Sequence, residues 1–213
     1  MRKLQNYFSY ANTTGHGIIG KHNLSKHNLT FRETSVLLNS RLKLDGSMNL
    51  MRQVVKNKPT VGGFYMNPLV GLYRFPRGED IAYYKENFEV YDEGRNLNIQ
   101  NWHTSYEDFE QNPYWITNRI LSKENRMHVI VSLSANLKIN DWLSLQARGN
   151  VDYINDKVRQ QFYASTAPAL AGANGRYIEM DYQETPILPE TPYCDEKAVG
   201  CILSQRGARC QYQ

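Results

Sequence analysis

The residues best suited to chemistry are gathered in one stretch of this chain. Between Lys56 and Arg126 stand seven of the fifteen tyrosines, Trp102, Trp115 and four phenylalanines, among Gly, Pro, Asn and acidic residues. Flat rings beside Asn, Asp and Arg suit stacking on sugar faces or gripping peptides. Tyr73, Tyr83, Trp102, Tyr114 and Trp115 are the candidate substrate contacts on that reading. The same stretch holds two adjacent carboxylate pairs, Glu79-Asp80 and Glu107-Asp108. Glycoside hydrolysis uses two carboxyls about 5 to 9 Å apart. Adjacency in sequence does not establish that separation, and acids on a polar loop are ordinarily solvated. No GxSxG, phosphate-loop or HExxH string occurs. No catalytic residue is therefore expected, and the chain reads as a non-enzyme.

His16, His22 and His27 lie on a polar, Gly-rich stretch at spacings that fit no metal-ligand pattern, so neither a metal nor a cofactor is expected. Cys194, Cys201 and Cys210 all fall near the C-terminal end, outside any CxxC pattern. The formal charge of +4 is spread along the chain without a basic block, which gives no case for nucleic acid. No window is apolar enough for a membrane-spanning helix, and Met1-Arg2-Lys3 is followed by no apolar export signal.

The elements that must position the aromatic stretch announce themselves by parity. From Met127 to Ile139 the odd positions are Met127, Val129, Val131, Leu133, Ala135, Leu137 and Ile139, and Ile130 is the one apolar residue among the even ones. A helix would scatter these residues round its circumference, whereas a strand places them on one face. After the turn signal Asn140-Asp141-Trp142, alternation resumes from Leu143 to Tyr153. Residues 27 to 55 repeat the design about the turn LNSR. Strands are expected near 4 to 13, 27 to 37, 42 to 55, 127 to 139 and 143 to 163.

Length separates the environments such strands could occupy. A thirteen-residue strand reaches roughly 43 Å, against a usual globular strand of about five to six residues. Tilted by about 40°, it rises roughly 33 Å, enough to cross a bilayer core. Lys43, Asp45, Arg148 and Asp152 then face a wet lumen, while Leu133, Leu137, Leu145, Val151, Leu44 and Met48 face lipid. Tight turns at one end and the long 56–126 loop at the other match an outer-membrane barrel. On that reading the segment QNPYWITNR re-enters the strand near Met127, with Tyr114 and Trp115 at the interfacial aromatic girdle. A soluble sandwich also alternates, and a β-rich surface module gripping glycans through the 56–126 loop is the alternative function.

Several segments carry a resemblance: SYANTTGHGIIGKHNLSKHNLTFRE, RQVVKNKPTVGGFYMNPLVGLYRFPRGED, EQNPYWITNR and YASTAPALAGANGRYIEMDYQET. They resemble the barrel of the SusC/RagA family of TonB-linked outer membrane transporters, from about Tyr7 to Thr185. The resemblance implies an all-β fold, an antiparallel up-and-down transmembrane barrel segment with one long extracellular loop, contributing about five strands to a barrel of about 22. It further implies import of glycans or peptides, a SusD-type lipoprotein partner, energy delivered by TonB, and residence in the outer membrane. The chain is expected to be a piece of such a transporter, without signal, TonB box or plug, and inactive alone.

Two regions follow: 1–185, a partial TonB-dependent receptor barrel, and 186–213, an aberrant tail that loses parity and holds every cysteine. A reading-frame shift near Thr185 is expected to account for the change, with Met1 expected to be an internal start and the tail expected to be disordered.

Overall fold

The computed structural model describes the backbone of residues 3–60, 65–104, 110–196, 200–204 and 207–210, and their side chains as far as residue 187. In chain order the elements are β1 (Lys3–His16), β2 (Asn23–Leu37), β3 (Leu42–Lys56), α1 (Pro68–Arg74), α2 (Ile81–Glu86), β4 (Glu89–Asp92), β5 (Leu97–Gln100) and α3 (Pro113–Arg119). They continue with β6 (Ile120–Lys138), β7 (Leu143–Phe162), β8 (Arg176–Glu184), β9 (Ile187–Glu196), β10 (Gly200–Ser204) and β11 (Gly207–Cys210). The chain is predominantly β, built on one antiparallel sheet in which β1, β2, β3, β6 and β7 lie side by side. All five expected strands are present. Two begin earlier than expected: β2 at Asn23 and β6 at Ile120.

Register converts the sequence parity into two faces. Phe8, Phe31, Met48, Val131 and Val151 lie opposite one another in one row, and Tyr10, Leu29, Leu50, Val129 and Tyr153 form the next. Below them run Leu44, Ala135 and Ala147, then Leu37, Leu42, Leu137 and Leu145. No described element is laid over this face: Phe8 is 65% exposed and Leu133 62%, and Leu4, Phe31, Met48, Val131 and Val151 are exposed as well. One row departs from the pattern, because Asn6 and Glu33 stand beside Gly46, Leu133 and Gly149.

The opposite face is polar along its lower half. Gln5, Thr34, Asp45, Ser134 and Arg148 share a row, flanked by the row of Tyr7, Arg32, Ser47, Ser132 and Asn150. Farther up, the parity of β7 reverses: past Tyr153 the apolar residues are the even-numbered Ile154, Val158 and Phe162. Phe162 and its partner Ile120 are buried with Ile116 and Ala171, and Met66, Leu170 and Ile178 pack against them. The long 57–119 segment therefore folds back over the upper end of the polar face, and leaves the apolar face bare.

That segment is a folded unit rather than a plain loop. Asn67-Pro68 and Asn112-Pro113 each place a capping side chain before a proline in the first helical turn, accepting from Leu69 N and Tyr114 N respectively. Asp80 caps α2 in the same way through Ala82 N. The segment QNPYWITNR leads directly into the strand, as expected, but as a helix: Pro113–Arg119 form α3, capped by Asn112, and the strand starts at Ile120.

On the far edge, β8 pairs with the upper half of β7 and β9 with its lower half. The register carries through Pro186, since Ile154 opposes Glu184 and Val151 opposes Ile187, with a shift only between Gln146 and Arg148. The boundary at residue 185 thus coincides with no break in the backbone pairing. β10 and β11 extend this edge.

Trp115, fully buried, holds the unit together. Trp115→Ala is expected to cost about 3–5 kcal/mol, as large aromatic truncations do. In chain refolded in detergent, hydrogen exchange should accelerate across 66–119 and 163–171 and stay unchanged in the β2–β3 hairpin.

Candidate cargo-contact surface

Two surfaces meet above the sheet: the polar face of the strands and the aromatic unit over its upper end. On the polar face, Arg32 grips Asp45 with both donors of its fork, at 3.1 and 2.7 Å, and the Thr34 hydroxyl donates to the same carboxylate at 2.8 Å. Asn49 donates to Thr30 Oγ1 at 2.9 Å, and Arg126 pairs with Asp156 at 2.6 Å. His128 Nε2 lies 2.5 Å from Asp152. Lys43, Asp45, Arg148 and Asp152 all lie on this one face, as parity requires. A shallow trough runs along it, lined by Tyr7, Thr30, Arg32, Lys43, Asp45 and Asn49. Tyr7 and Arg32 are lining residues beyond the contacts expected from sequence. Their signal lies in the polar odd positions of β1 and even positions of β2.

The aromatic unit is tied by buried polar groups. Glu110, only 3% exposed, accepts from Trp102 Nε1 at 3.1 Å and faces His103 Nε2 at 3.0 Å and Arg74 at 3.3 Å. Asn112, fully buried, donates to the Tyr84 and Asn101 carbonyls at 3.0 and 2.8 Å. Gln111 Oε1 accepts from Ala167 N, and Trp115 Nε1 donates to Thr166, so the unit is joined to the loop between β7 and β8. Helix α1 approaches closely at Gly71, where a Cβ would stand 2.6 Å from the Gln111 carbonyl oxygen.

Phe75, Tyr84, Trp102 and His103 form an aromatic pile with ring centroids 4.7 to 6.4 Å apart, and Tyr83 adds an edge-on ring to Tyr84 at 5.2 Å. Arg119 bridges Glu89 at 2.7 Å and lies 4.9 Å from the Tyr163 ring. The hydrogen-bonded Glu89 carboxylate raises the Arg119 guanidinium above its usual range, against partial burial. The Tyr84 phenol is likewise raised, chiefly because it donates to Glu79.

The candidate contacts divide sharply. Tyr73 is 87% exposed and Tyr83 is half exposed, both open to a solute. Tyr114 is half-buried. Trp102 and Trp115 are buried inside the unit, so as folded they offer no ring face to cargo; Trp115 lies in this core rather than at a lipid interface. Glu79 and Asp80 serve local structure, as acceptor for Tyr84 and cap of α2, while Glu107 and Asp108 lie outside the described residues. His16 meets Asn23 and His27 meets Tyr10, and no group of three or more potential metal ligands occurs among the described residues.

The arrangement offers hydroxyls, amides and charged pairs along a wet face, with exposed tyrosines above it. Such a surface suits weak, multiple hydrogen bonding and stacking. Compared with protein-family models and with curated proteins, the chain matches none.

Glu110→Ala removes the acceptor of the buried Trp102 Nε1 and the partner of His103 Nε2, and leaving a buried polar group unsatisfied costs about 1–3 kcal/mol. Limited proteolysis between Tyr65 and Asn101 should speed up strongly, while Glu79→Ala, at the exposed end of the unit, should have little effect.

Proposed function

We propose that the chain is a section of wall from an outer-membrane β-barrel transporter of the SusC/RagA type. The observation that carries this reading is the bare apolar face on strands of 14 to 20 residues. A soluble sandwich must cover such a face with a second layer, and among the described residues the folded unit between β3 and β6 sits on the other side. Between Leu137 and Met127 the apolar stretch of β6 reaches about 33 Å, or about 23 Å when tilted by about 45°, close to the apolar band of outer-membrane barrels. Tyr10 and Tyr153 stand at one margin of the band and the exposed Trp142 near the other, as in interfacial aromatic belts. No helix among the described residues is long and apolar enough to cross a membrane.

A sheet of this size does not close around a lumen by itself, and β1 presents an unpaired edge among the described residues. The transport function accordingly belongs to a complete barrel, with the polar face lining its interior and Tyr73 and Tyr83 near its outer mouth. Oligosaccharides or peptides are the cargo class, with a SusD-type lipoprotein and the TonB complex as partners and no catalytic step. The alternative, a surface glycan-binding module, loses two of its five rings to burial and leaves the bare face without a role.

In aqueous buffer the isolated chain should aggregate, and with phosphatidylcholine vesicles it should associate and give a β-type circular dichroism spectrum. A charge at the middle of the outward face tests the orientation. Leu133→Arg should weaken vesicle association by about 2–4 kcal/mol, the midplane cost for barrels, whereas Ser132→Arg, one residue away on the polar face, should not. A monomeric soluble product that unfolds cooperatively, with both variants behaving alike, would overturn the membrane reading.

A further inference from the structure

The outward face changes character just beyond its apolar band. Continuing upward from the row of Leu50 and Val129, the outward positions include His27 on β2, Arg52 and Lys56 on β3, and Lys123 on β6. Arg52 lies between His27 and Met127, one outward row past Leu50, while Lys56 and Lys123 are directly opposite each other. All of these side chains are exposed. Like charges directly opposite across a strand pair repel, and an anion seated between them removes that cost.

The neighbouring strands handle the same problem differently. On the same outward face, Lys157 and Arg159 of β7 are neutralised within the protein by Asp181 and Glu179 of β8, at 3.0 and 2.9 Å. Arg52, Lys56 and Lys123 meet no carboxylate among the described residues; the nearby Glu124 points to the other face and pairs with Lys58. The uncompensated charge is thus confined to β3 and β6, toward the upper end of the sheet.

Its height is fixed by the strand rise. Arg52 shares the row of Met127 at the margin of the apolar band, and at about 3.3 Å per residue Lys56 stands about 13 Å farther along the strand, or about 9 Å once tilted. The polar layers add about 5 to 8 Å on each side of a bilayer's hydrocarbon core. Arg52 falls inside that layer, and the two lysines reach back to it by laying their apolar stems along the sheet.

We propose that Arg52, Lys56 and Lys123 form an outward-facing site for the phosphate groups of lipid headgroups, resting on the reading of this face as lipid-facing. The ligand chemistry is a phosphate monoester or diester held at the bilayer surface, and the three cations fix the wall's depth in one leaflet. Arg supplies a fork suited to two phosphate oxygens, and the lysine pair supplies point charges above it.

The test compares association of the full chain with phosphatidylcholine vesicles with and without phosphatidic acid, at fixed ionic strength. Each basic residue near an anionic surface contributes about fivefold, so the preference for phosphatidic acid should fall on the order of 100-fold in the triple variant Arg52→Gln, Lys56→Gln, Lys123→Gln. The charge-matched triple Lys3→Gln, Lys26→Gln, Lys138→Gln, on the opposite face, should retain it. Equal loss in both triples, or no preference in the unaltered chain, would overturn the site while leaving the membrane reading standing. Displacement by millimolar inorganic phosphate would overturn the lipid as the ligand's source. Failure to associate with either vesicle would overturn the membrane reading and this proposal with it.

Discussion

Every inner strand of this sheet is hydrogen-bonded to a neighbour on both sides, and that ladder decides where each side chain can go. With β2, β3 and β6 locked in continuous register, a one-residue slip anywhere would send a whole strand's leucines to the polar face and its polar residues to the apolar one. The two faces are therefore a single cooperative choice. Once it is made, the Arg32–Asp45 and Arg126–Asp156 pairs form on one side, and the leucines and valines assemble on the other.

The surplus length of β6 and β7 does separate work. Their lower portions carry the alternating band, and their upper portions, past Met127 and Tyr153, rise clear of it and change allegiance. There the buried side chains are Ile120 and Phe162, on the face that is polar farther down, because the folded 57–119 unit rests against them. One strand thus passes through two environments, and its apolar side switches where the environment does.

Parity makes the long strands legible in the sequence, because alternation sustained over eleven or more residues puts one face of a strand against apolar surroundings and would wrap a helix in them on every side. It locates β3 closely, and places Lys43, Asp45, Arg148 and Asp152 on one face. The upper part of β6 is not legible in this way, because Ile120 to Arg126 mixes charged and apolar residues, a pattern that becomes intelligible only when its packing partners are known. β8 alternates through Ile178, Met180 and Tyr182, yet its other face is fully polar and charged, so its signal is short. The helices of the long segment are marked by Asn67-Pro68 and Asn112-Pro113, local signals outweighed there by the count of aromatic rings. Burial of Trp102 and Trp115 is not legible, since it depends on Glu110 and Thr166, the latter far off in sequence.

The joining of the 57–119 unit to the loop after β7, through Gln111, Trp115 and Arg119, has a mechanical consequence. A unit pinned at both β6 and β7 is held as an eave over the sheet's upper end rather than hung as a swinging door. In a transporter, a solute meeting it would be sorted by the width of the remaining aperture, and the motion that admits cargo would fall to some other part of the assembly.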